Sequence, residues 1–389
     1  MKKYNFIFIS TADWDNPFWT NKQHMAKILS EQGHKVVYFD SLGLREPVNK
    51  SQKDRKRIFR RLIKFFKGAK KINDNLYVFS PVIIPKHDNF FISKLNNTLM
   101  FIYLKLISMK HFKEDPIYWT YNPLSGDFLT KNKIVYHCVD DLTAAPGMPV
   151  KKIRSKEIEL ILKSSITFVT SKTLKEKLLP IAGDKLFYFP NVADVAHFSK
   201  ALLDLPKPLD LQKLNGPILG FVGAISSYKV DFHLLVKLAH QFPMAQIILI
   251  GEVGEGQPDT SVDIFKNNPN IHLLGPKAYL ELPFYLKYMD VALLPCVLND
   301  YTSSMFPMKF FEYLAAEKKV VSTNLESLID FKDSCYLANS DEDFIAGVTK
   351  ALTMSLEDFC NVPQMKRAVV ENTWENRTKR MLDILDQSI

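Results

Sequence analysis

Cysteine and long apolar segments are both scarce in this sequence. Its 389 residues contain four cysteines, which stand far apart and lack the paired spacing of a zinc site or a redox motif. They are Cys138, Cys296, Cys335 and Cys360. The most apolar stretch, residues 98–109, is short and interrupted by Lys105, and the apolar run at residues 6–9 is too short for a signal peptide. We therefore expect reduced thiols in the cytoplasm and no membrane-spanning helix.

Glycine is also scarce, and no residue type dominates the composition. With 14 glycines and 21 prolines the chain is not of low complexity, and 47% apolar and 24% charged residues are ordinary for a globular protein. A chain of this length exceeds what one hydrophobic core usually supports, which favours two domains. The net charge of +9 indicates an anionic partner, such as a phosphorylated substrate, an acidic membrane or a nucleic acid.

Short apolar runs alternate with helical patterns in both halves of the chain, which is typical of parallel sheets built from βαβ units. The first half predicts strands at residues 4–10, 35–39, 76–79, 116–121, 134–138 and 166–170. The second half predicts strands at residues 218–222, 246–250, 271–274, 291–295, 319–322 and 335–338. We expect an α/β protein with two doubly wound, Rossmann-like domains that face a cleft, where the carboxyl ends of the strands bind ligands.

The predicted domain limits follow from where this alternation stops. Residues 1–203 form the first domain and residues 218–372 the second, because residues 204–217 are rich in Leu, Pro and Lys and have no periodicity. Residues 373–389 have helical spacing and are followed by no strand, so we expect a last helix that packs back across the two domains.

The most informative stretch runs from Asp290 to Thr323 and reads as strand, loop, helix and strand. Pro307 suits the first turn of the helix, so backbone amides of residues 305–308 could face an anion, to which Lys309 adds a full charge. Glu312 lies one turn beyond Met308, where its carboxylate could accept hydrogen bonds from two ribose hydroxyls. The pattern predicts a site for a nucleoside diphosphate. The alternative is that Lys309 and Glu312 form only a surface ion pair.

The same stretch resembles the bacterial group 1 glycosyltransferases, whose nucleotide site ends in a Pro-x-Lys-x-x-Glu-Tyr-Leu-Ala helix before a Val-Val strand. Residues 307–315 match this helix. Three blocks before it, at residues 220–225, 248–251 and 270–276, also resemble the family and stand in the same order as in its members. The first half is similar to teichuronic-acid and exopolysaccharide transferases through Asp13-Trp14-Asp15, Lys22-Gln23-His24 and the Asp140-Asp141 pair. A fainter likeness to xanthan-type glucuronosyltransferases surrounds Met308-Lys309.

The resemblance implies a GT-B fold and a hexosyltransferase activity. The donor is then a nucleotide-diphosphate sugar, UDP- or GDP-linked, with no other cofactor and no metal, and the acceptor is a polysaccharide or lipid-linked glycan of the bacterial cell surface. The implied donor-binding residues are Gly223, Lys229, Glu252, Tyr301, Ser304, Met308, Lys309 and Glu312. Three positions depart from the family: Ser304 replaces its first glutamate, Ala224 an arginine and Glu317 a glycine.

Acceptor and catalytic residues are expected in the first domain. Trp14, Lys22 and His24 follow the first predicted strand and are the candidates for acceptor binding, although a lone histidine such as His24 is more often structural. Asp13-Trp14-Asp15 also mimics a metal-binding Asp-x-Asp motif. Asp141, with Asp140 as its alternative, stands at a predicted strand end, where a carboxylate could take the proton of an acceptor hydroxyl. The alternative is that either aspartate only caps a helix.

A basic segment between Arg45 and Lys71 holds twelve basic residues against two acidic ones. Its apolar and cationic residues alternate as on an amphipathic helix, which predicts attachment to an anionic membrane at the inner face of the cell membrane. The predicted membrane residues are Arg57, Phe59, Arg60, Arg61, Leu62, Lys64 and Phe66. A core helix with a solvated face is the alternative, and nucleic acid is not expected because aromatic platforms for base stacking are not evident.

Two other functions stay open from the sequence. A sugar-nucleotide epimerase would share the nucleotide site, although a basic membrane helix does not suit a soluble substrate. A non-catalytic membrane-binding scaffold would fit the departures at Ala224 and Ser304. The glycines at 251, 254 and 256 lack the spacing of a dinucleotide-binding loop, so a nicotinamide cofactor is not expected.

Overall fold

The computed structural model describes residues 2–43, 52–84, 89–129 and 133–389, with only the backbone described for residues 52–58. The chain forms two compact units. The N-domain contains the chain up to Phe189 together with Thr378–Ile389, and the C-domain is Pro190–Arg377. This division differs from the predicted linker at residues 204–217. The reason is packing, because Phe198 and Leu211 are fully buried in the core of the C-domain.

The N-domain is built on one sheet with the strand order β3-β4-β2-β1-β5-β6-β7-β8. Neighbouring strands are parallel except for the antiparallel pair β3 and β4. The strands are β1 (Asn5–Ile9), β2 (Lys35–Phe39), β3 (Lys70–Lys71), β4 (Leu76–Phe79), β5 (Ile117–Thr120), β6 (Ile134–Cys138), β7 (Ile166–Val169) and β8 (Leu186–Tyr188). The sequence did not predict β3 and β8, which have two and three residues.

Helices of the N-domain lie between these strands. They are α1 (Asn21–Glu31), α2 (Gln52–Phe66), α3 (Phe90–His111), α4 (Val150–Lys163) and α5 (Lys172–Ala182). Helix α1 begins at Asn21 because the Gln23 side chain accepts the Thr20 backbone N–H at 3.0 Å, which caps the helix there. It is followed by Gly33, whose φ of +87° is left-handed, as helix ends favour. Within the described ranges, no helix is long and apolar enough to cross a membrane.

The C-domain has a parallel sheet with the strand order β11-β10-β9-β12-β13-β14. Its strands are β9 (Ile218–Val222), β10 (Gln246–Ile250), β11 (Ile271–Gly275), β12 (Val291–Leu294), β13 (Lys319–Thr323) and β14 (Tyr336–Ala338). Its helices are α6 (Val195–Phe198), α7 (Phe232–Gln241), α8 (Leu282–Lys287), α9 (Asp300–Ser303), α10 (Lys309–Ala315), α11 (Asp341–Thr353), α12 (Leu356–Phe359) and α13 (Val362–Glu371). The last helix, α14 (Trp374–Ser388), begins in the C-domain, and its residues from Thr378 onward belong to the N-domain.

Both sheets change winding direction once, and this locates the ligand-binding edges. In the N-domain the chain builds one side outward from β1 and the other from β5, which are neighbours. In the C-domain the same change occurs between β9 and β12. Open α/β sheets bind ligands where the loops after two such strands diverge. The predicted class of two doubly wound domains is therefore confirmed. The loops after β1 and β5 form the candidate site of the N-domain, and those after β9 and β12 form the candidate site of the C-domain.

Candidate functional site

The rim of the C-domain site is formed by the loops after β9, β10 and β12, which are joined by backbone hydrogen bonds. The Ile225 N–H donates to the Glu252 carbonyl at 3.0 Å, and the Gly254 N–H returns a bond to the Ile225 carbonyl at 2.9 Å. On the other side, the Val297 N–H donates to the Lys229 carbonyl at 3.0 Å. These bonds hold the three loops as one surface at the carboxyl edge of the sheet.

Two positions of this rim require glycine. A Cβ atom at Gly251 would lie 1.8 Å from the Gly223 carbonyl oxygen, so no larger residue fits without moving the loop after β9. A Cβ at Gly223, a predicted donor residue, would lie 2.9 Å from the Phe221 ring. The ends of β9 and β10 are therefore packed too closely for a side chain at either position.

Lys229 and Tyr301, both predicted donor residues, come together at this rim. The Lys229 ammonium lies 5.1 Å from the centre of the Tyr301 ring and 5.2 Å from that of Tyr228, which the sequence analysis missed. The two rings meet edge to face at 5.1 Å, and the Asn299 side-chain amide donates to the Tyr228 carbonyl at 2.7 Å. A cation held over two aromatic faces keeps its charge at a defined position beside the loop after β12.

Lys309 and Glu312 form an ion pair of 2.7 Å between Nζ and Oε2. It is not the surface pair of the alternative interpretation, because the Glu312 side chain is only 2% exposed and that of Lys309 21%. Helix α10 begins at Lys309, so Pro307 precedes the helix instead of occupying its first turn as predicted. The Pro307 carbonyl instead accepts the Phe310 N–H at 3.1 Å, which starts the short helix. Met308 is half-buried at its entrance.

Tyr313, the residue after Glu312, ties α10 to the sheet. Strand β12 pairs with β9 only as far as Gly220, and beyond that point the Val222 N–H donates to the Tyr313 hydroxyl oxygen at 2.8 Å. The hydroxyl thus replaces the missing strand partner where β9 and β12 diverge. Burial raises the pKa of Tyr313 well above its ordinary value, so the phenol stays neutral. This bond therefore holds α10, the helix that carries Glu312, against β9.

The buried His197 and the half-buried Tyr279 form a ring pair that interacts electrostatically with Glu312 and was not found from the sequence. The His197 ring stacks on Tyr279 at 4.4 Å, and His197 Nε2 lies 2.9 Å from the Tyr279 carbonyl oxygen. Burial lowers the pKa of His197, although the Glu312 carboxylate acts in the opposite direction. Burial and the same carboxylate both raise the pKa of Tyr279. The Asp194 side chain accepts the His197 backbone N–H at 3.0 Å and caps the short helix α6, which carries His197.

The remaining donor candidates lie on the same edge with less distinctive surroundings. Glu252 is exposed in the loop after β10, and its backbone carbonyl accepts the hydrogen bond from the Ile225 N–H. Ser304 is buried at the end of α9. Glu317, at the position where the family has glycine, has a φ of +50° and is the single non-glycine residue with positive φ in the described chain. The departure at Glu317 therefore carries backbone strain.

The predicted acceptor residues gather at the carboxyl end of β1 in the N-domain. The Trp14 N–H donates to Asp40 Oδ1 at 2.7 Å, and its indole packs on Trp19 and Tyr38, both at 5.2 Å. Lys22 and His24 are buried on α1. The Lys22 ammonium lies 5.8 Å from the ring centre of Tyr121, the residue that follows β5. These three residues therefore lie at the change of winding between β1 and β5.

The acidic residues around Trp14 form ion pairs with cationic side chains of α2. Arg61 pairs with Asp13 at 3.0 Å, and Lys64 pairs with Asp15 at 2.7 Å. Lys64 also lies 3.6 Å from the buried Asp40 carboxylate, whose pKa is raised by burial. Among the described residues no group of acidic, histidine or cysteine side chains has the arrangement of a metal site. The metal interpretation of Asp13 and Asp15 thus lacks support, because both carboxylates already have cationic partners.

The same contacts correct the predicted membrane face of α2. Arg61 and Lys64 turn toward the domain, and Phe65 packs against its core, so these residues do not face outward. Phe59 and Phe66, in contrast, are 66% and 83% exposed. Arg60, Leu62, Ile63 and Lys67 are exposed as well. The side chain of Arg57 lies outside the described residues.

The Asp141 carboxylate caps a 3-10 turn and also forms an ion pair. Its Oδ1 accepts the Thr143 N–H at 3.0 Å at the start of a 3-10 turn, and its carboxylate pairs with Lys177. Burial alone would raise the pKa of Asp141, but the hydrogen bonds from Lys177 and Thr143 outweigh it and lower the pKa. These contacts favour the capping alternative for this residue. Asp140 beside it is half-buried.

Comparison with known proteins agrees with this geometry. Residues 216–354, nearly all of the C-domain sheet and its rim, match the family model of glycosyl transferases group 1. A curated relative, TuaH of Bacillus subtilis strain 168, is 32% identical over 217 residues and is provisionally named a teichuronic acid biosynthesis glycosyltransferase. The match covers 53% of this chain, and the chain spans about half of that relative, 54%.

Solved structures resemble the whole chain at low sequence identity. Sucrose-phosphate synthase from Thermosynechococcus elongatus has a TM-score of 0.70 at 15% identity, covering 99% of both chains. The Anabaena protein HepE, solved in complex with UDP, has a TM-score of 0.67 at 13% identity, covering 99% of this chain and 100% of its own. These likenesses confirm the expected GT-B fold, and within it residues 216–354 are similar to the group 1 glycosyl transferases.

Proposed function

We propose that this protein is a glycosyltransferase of cell-surface glycan synthesis, which moves a sugar from a UDP- or GDP-linked donor to a membrane-associated acceptor. The observation that carries the proposal is the buried Lys309–Glu312 pair beside the loops after β9 and β12, in the domain that matches the group 1 model. The relation to a protein named for teichuronic acid synthesis supports a polysaccharide or lipid-linked acceptor.

The C-domain residues fit the charge of a nucleoside diphosphate. Lys229 and Lys309 are cations at the carboxyl edge of the sheet. Glu312, held by Lys309 through one oxygen, suits the ribose hydroxyls. When the sugar leaves, negative charge grows on the diphosphate, and fixed cations stabilise that charge without reorganisation.

The N-domain supplies the acceptor side of the proposal. Trp14 is half-buried beside the end of β1, where an acceptor sugar could stack on its indole, and Lys22 and His24 are buried nearby on α1. For the base that takes the proton of the acceptor hydroxyl, the Lys177 pair shifts the choice from Asp141 to Asp140, because a carboxylate that is ion-paired with a lowered pKa is a weak base.

Attachment to the inner face of the cell membrane is proposed for the outward side of α2. Phe59 and Phe66 are exposed next to the cations Arg60 and Lys67, a combination that suits an anionic lipid surface. Replacing both phenylalanines by serine should weaken binding to phosphatidylglycerol-containing vesicles by about tenfold per side chain. Leu209→Ser, at an exposed leucine of the C-domain, is the control. Unchanged vesicle binding of the double variant would exclude this face.

The activity is tested with a panel of UDP- and GDP-linked sugars. Calorimetry should show one donor that binds the wild type and binds Glu312→Gln at least tenfold more weakly, with Glu371→Gln at an exposed glutamate as the control. Release of nucleoside diphosphate should then depend on added membrane lipid extract. Conversion of the donor sugar without an acceptor would indicate an epimerase, and the absence of any binding would indicate a scaffold.

A further inference from the structure

Helix α3 borders a groove of about 270 Å³ that none of the preceding functions uses. One wall is the second half of α3, and the other comes from residues 115–129 of the same domain. The groove is lined mainly by apolar side chains, with Lys105, Ser108 and Asp115 as its polar members. The apolar lining residues are Phe101, Leu104, Met109, Tyr118, Phe128 and Leu129.

The outer surface of α3 continues this apolar character. Phe101, Leu106 and Met109 are 45–71% exposed, and Phe90 and Phe91 at the start of the helix are exposed still further. Soluble domains seldom leave so many large apolar side chains along one helix in water. Lys105 and Lys110 are exposed among them, so the helix surface is apolar and positively charged. This combination suits contact with an anionic lipid surface.

A smaller cavity of about 40 Å³ lies next to the groove at the carboxyl edge of the sheet, and its lining combines apolar and polar side chains. Phe128 lines both spaces. Asn122, two residues beyond β5, and Asn96 are among its polar members. Asn96 is fixed by two hydrogen bonds with Ile84, one from the Ile84 N–H at 2.9 Å and one to its carbonyl at 2.8 Å. The two spaces therefore meet at Phe128, and the smaller one holds hydrogen-bonding side chains, of which Asn96 is fixed in position.

We infer that the groove binds the hydrocarbon chain of a lipid-linked acceptor, with the polar head of the lipid directed to the cavity at the end of β5. The inference rests on the proposed function and names the acceptor class. A peptide or a second copy of this chain would bring backbone amides and carbonyls that need partners, and the groove offers few polar groups to satisfy them. A hydrocarbon chain has no such polar groups and therefore needs no hydrogen-bond partners.

The test uses soluble alkyl phosphates as probes, from butyl to dodecyl, with the full-length protein. Each methylene that enters the groove should contribute about 0.8 kcal/mol, so affinity measured by calorimetry should rise about fourfold per carbon until the groove is full. Ser108→Trp fills the groove and should abolish this dependence on chain length. Thr98→Trp, on an exposed part of the same helix outside both spaces, should retain it.

A dodecyl phosphate carrying a diazirine on the chain should label peptides within residues 101–109 and 115–129 of the wild type, and not of Ser108→Trp. Donor binding of Ser108→Trp should equal that of the wild type, which separates this inference from the proposed function. If binding depends on chain length but no sugar is transferred, the lipid-binding groove is supported and the proposed glycosyltransferase activity is rejected. Equal affinity for butyl and dodecyl phosphate in a protein active in transfer would overturn the groove. It would also be overturned if Ser108→Trp changed only vesicle binding, or only self-association in sedimentation.

Discussion

The ion pair of Lys309 and Glu312 allows its structural and binding roles to be separated by measurement. Lys309→Met leaves the Glu312 carboxylate, only 2% exposed, without its cation. Breaking a buried pair in this way costs about 3–5 kcal/mol, and the 21% exposure of Lys309 reduces this to about 1–3 kcal/mol because water reaches the site. We therefore expect this variant to lose stability in addition to nucleotide affinity.

Glu312→Gln should behave differently. The amide has nearly the same shape, and Lys309 can turn toward water, so the free energy of unfolding should change by less than in Lys309→Met. Nucleotide affinity should fall by more, since a hydrogen bond to a charged group contributes about 1.5–3 kcal/mol, which is about 10- to 150-fold in Kd. Calorimetric titration with UDP and GDP measures this loss.

The double variant Lys309→Met/Glu312→Gln decides between the two roles. With no buried charge left, it should recover at least half of the stability lost in Lys309→Met, while its nucleotide affinity stays at the level of the weaker single variant. Urea unfolding supplies the stabilities, and Lys366→Met, which breaks the exposed pair with Glu317, is the control expected to change little. The reasoning would be refuted if nucleotide affinity were unchanged in all three variants.

Three further predictions concern other residues of the two domains. His34 is buried, its Nδ1 accepts the Tyr4 N–H at 3.0 Å, and burial lowers its pKa to about 4. Its contribution of about 3 kcal/mol should be complete above pH 6.5 and be lost as the pH falls toward 4, and His34→Gln should flatten this dependence in urea unfolding. Glu317→Gly should stabilise the C-domain by about 0.5–1 kcal/mol in thermal unfolding, because glycine tolerates the φ of +50°. Asp140→Asn should reduce the turnover number by about 10²–10⁴-fold with donor affinity intact, whereas Asp141→Asn should mainly lower stability, by about 1–3 kcal/mol.

Each of these has a control and a contradicting result. Stability of His34→Gln that falls between pH 6.5 and 4 as steeply as that of the wild type would assign the acid sensitivity to another group. Glu317→Ala keeps the strained φ and loses the pair with Lys366, so equal stabilisation by alanine and glycine would reject backbone strain as the cause. Normal turnover of Asp140→Asn beside an inactive, stable Asp141→Asn would restore Asp141 as the base.

The sequence by itself determined the class of fold and the strands that carry it. All twelve predicted strands are present, each within one residue of the predicted ends, because a buried parallel strand is a short apolar run bounded by polar loops. The strands β3 and β8 are too short for such a pattern. The motif at Pro307 to Ala315 located the helix that carries Lys309 and Glu312, because ion-pair spacing on a helix is local.

Tertiary structure alone decided which polar residues are free to act. Arg61 and Lys64 appear in the sequence as two more cations of a basic helix, yet they pair with Asp13 and Asp15, which lie about fifty residues earlier. Asp141 pairs with Lys177 in the same way, and His197 stacks on Tyr279 from a distant part of the chain. Periodicity reports only neighbours along one element, whereas these contacts depend on how separate loops meet at the edge of a sheet. For the same physical reason, the groove beside α3 and the early domain boundary at Pro190 became visible only in the folded chain.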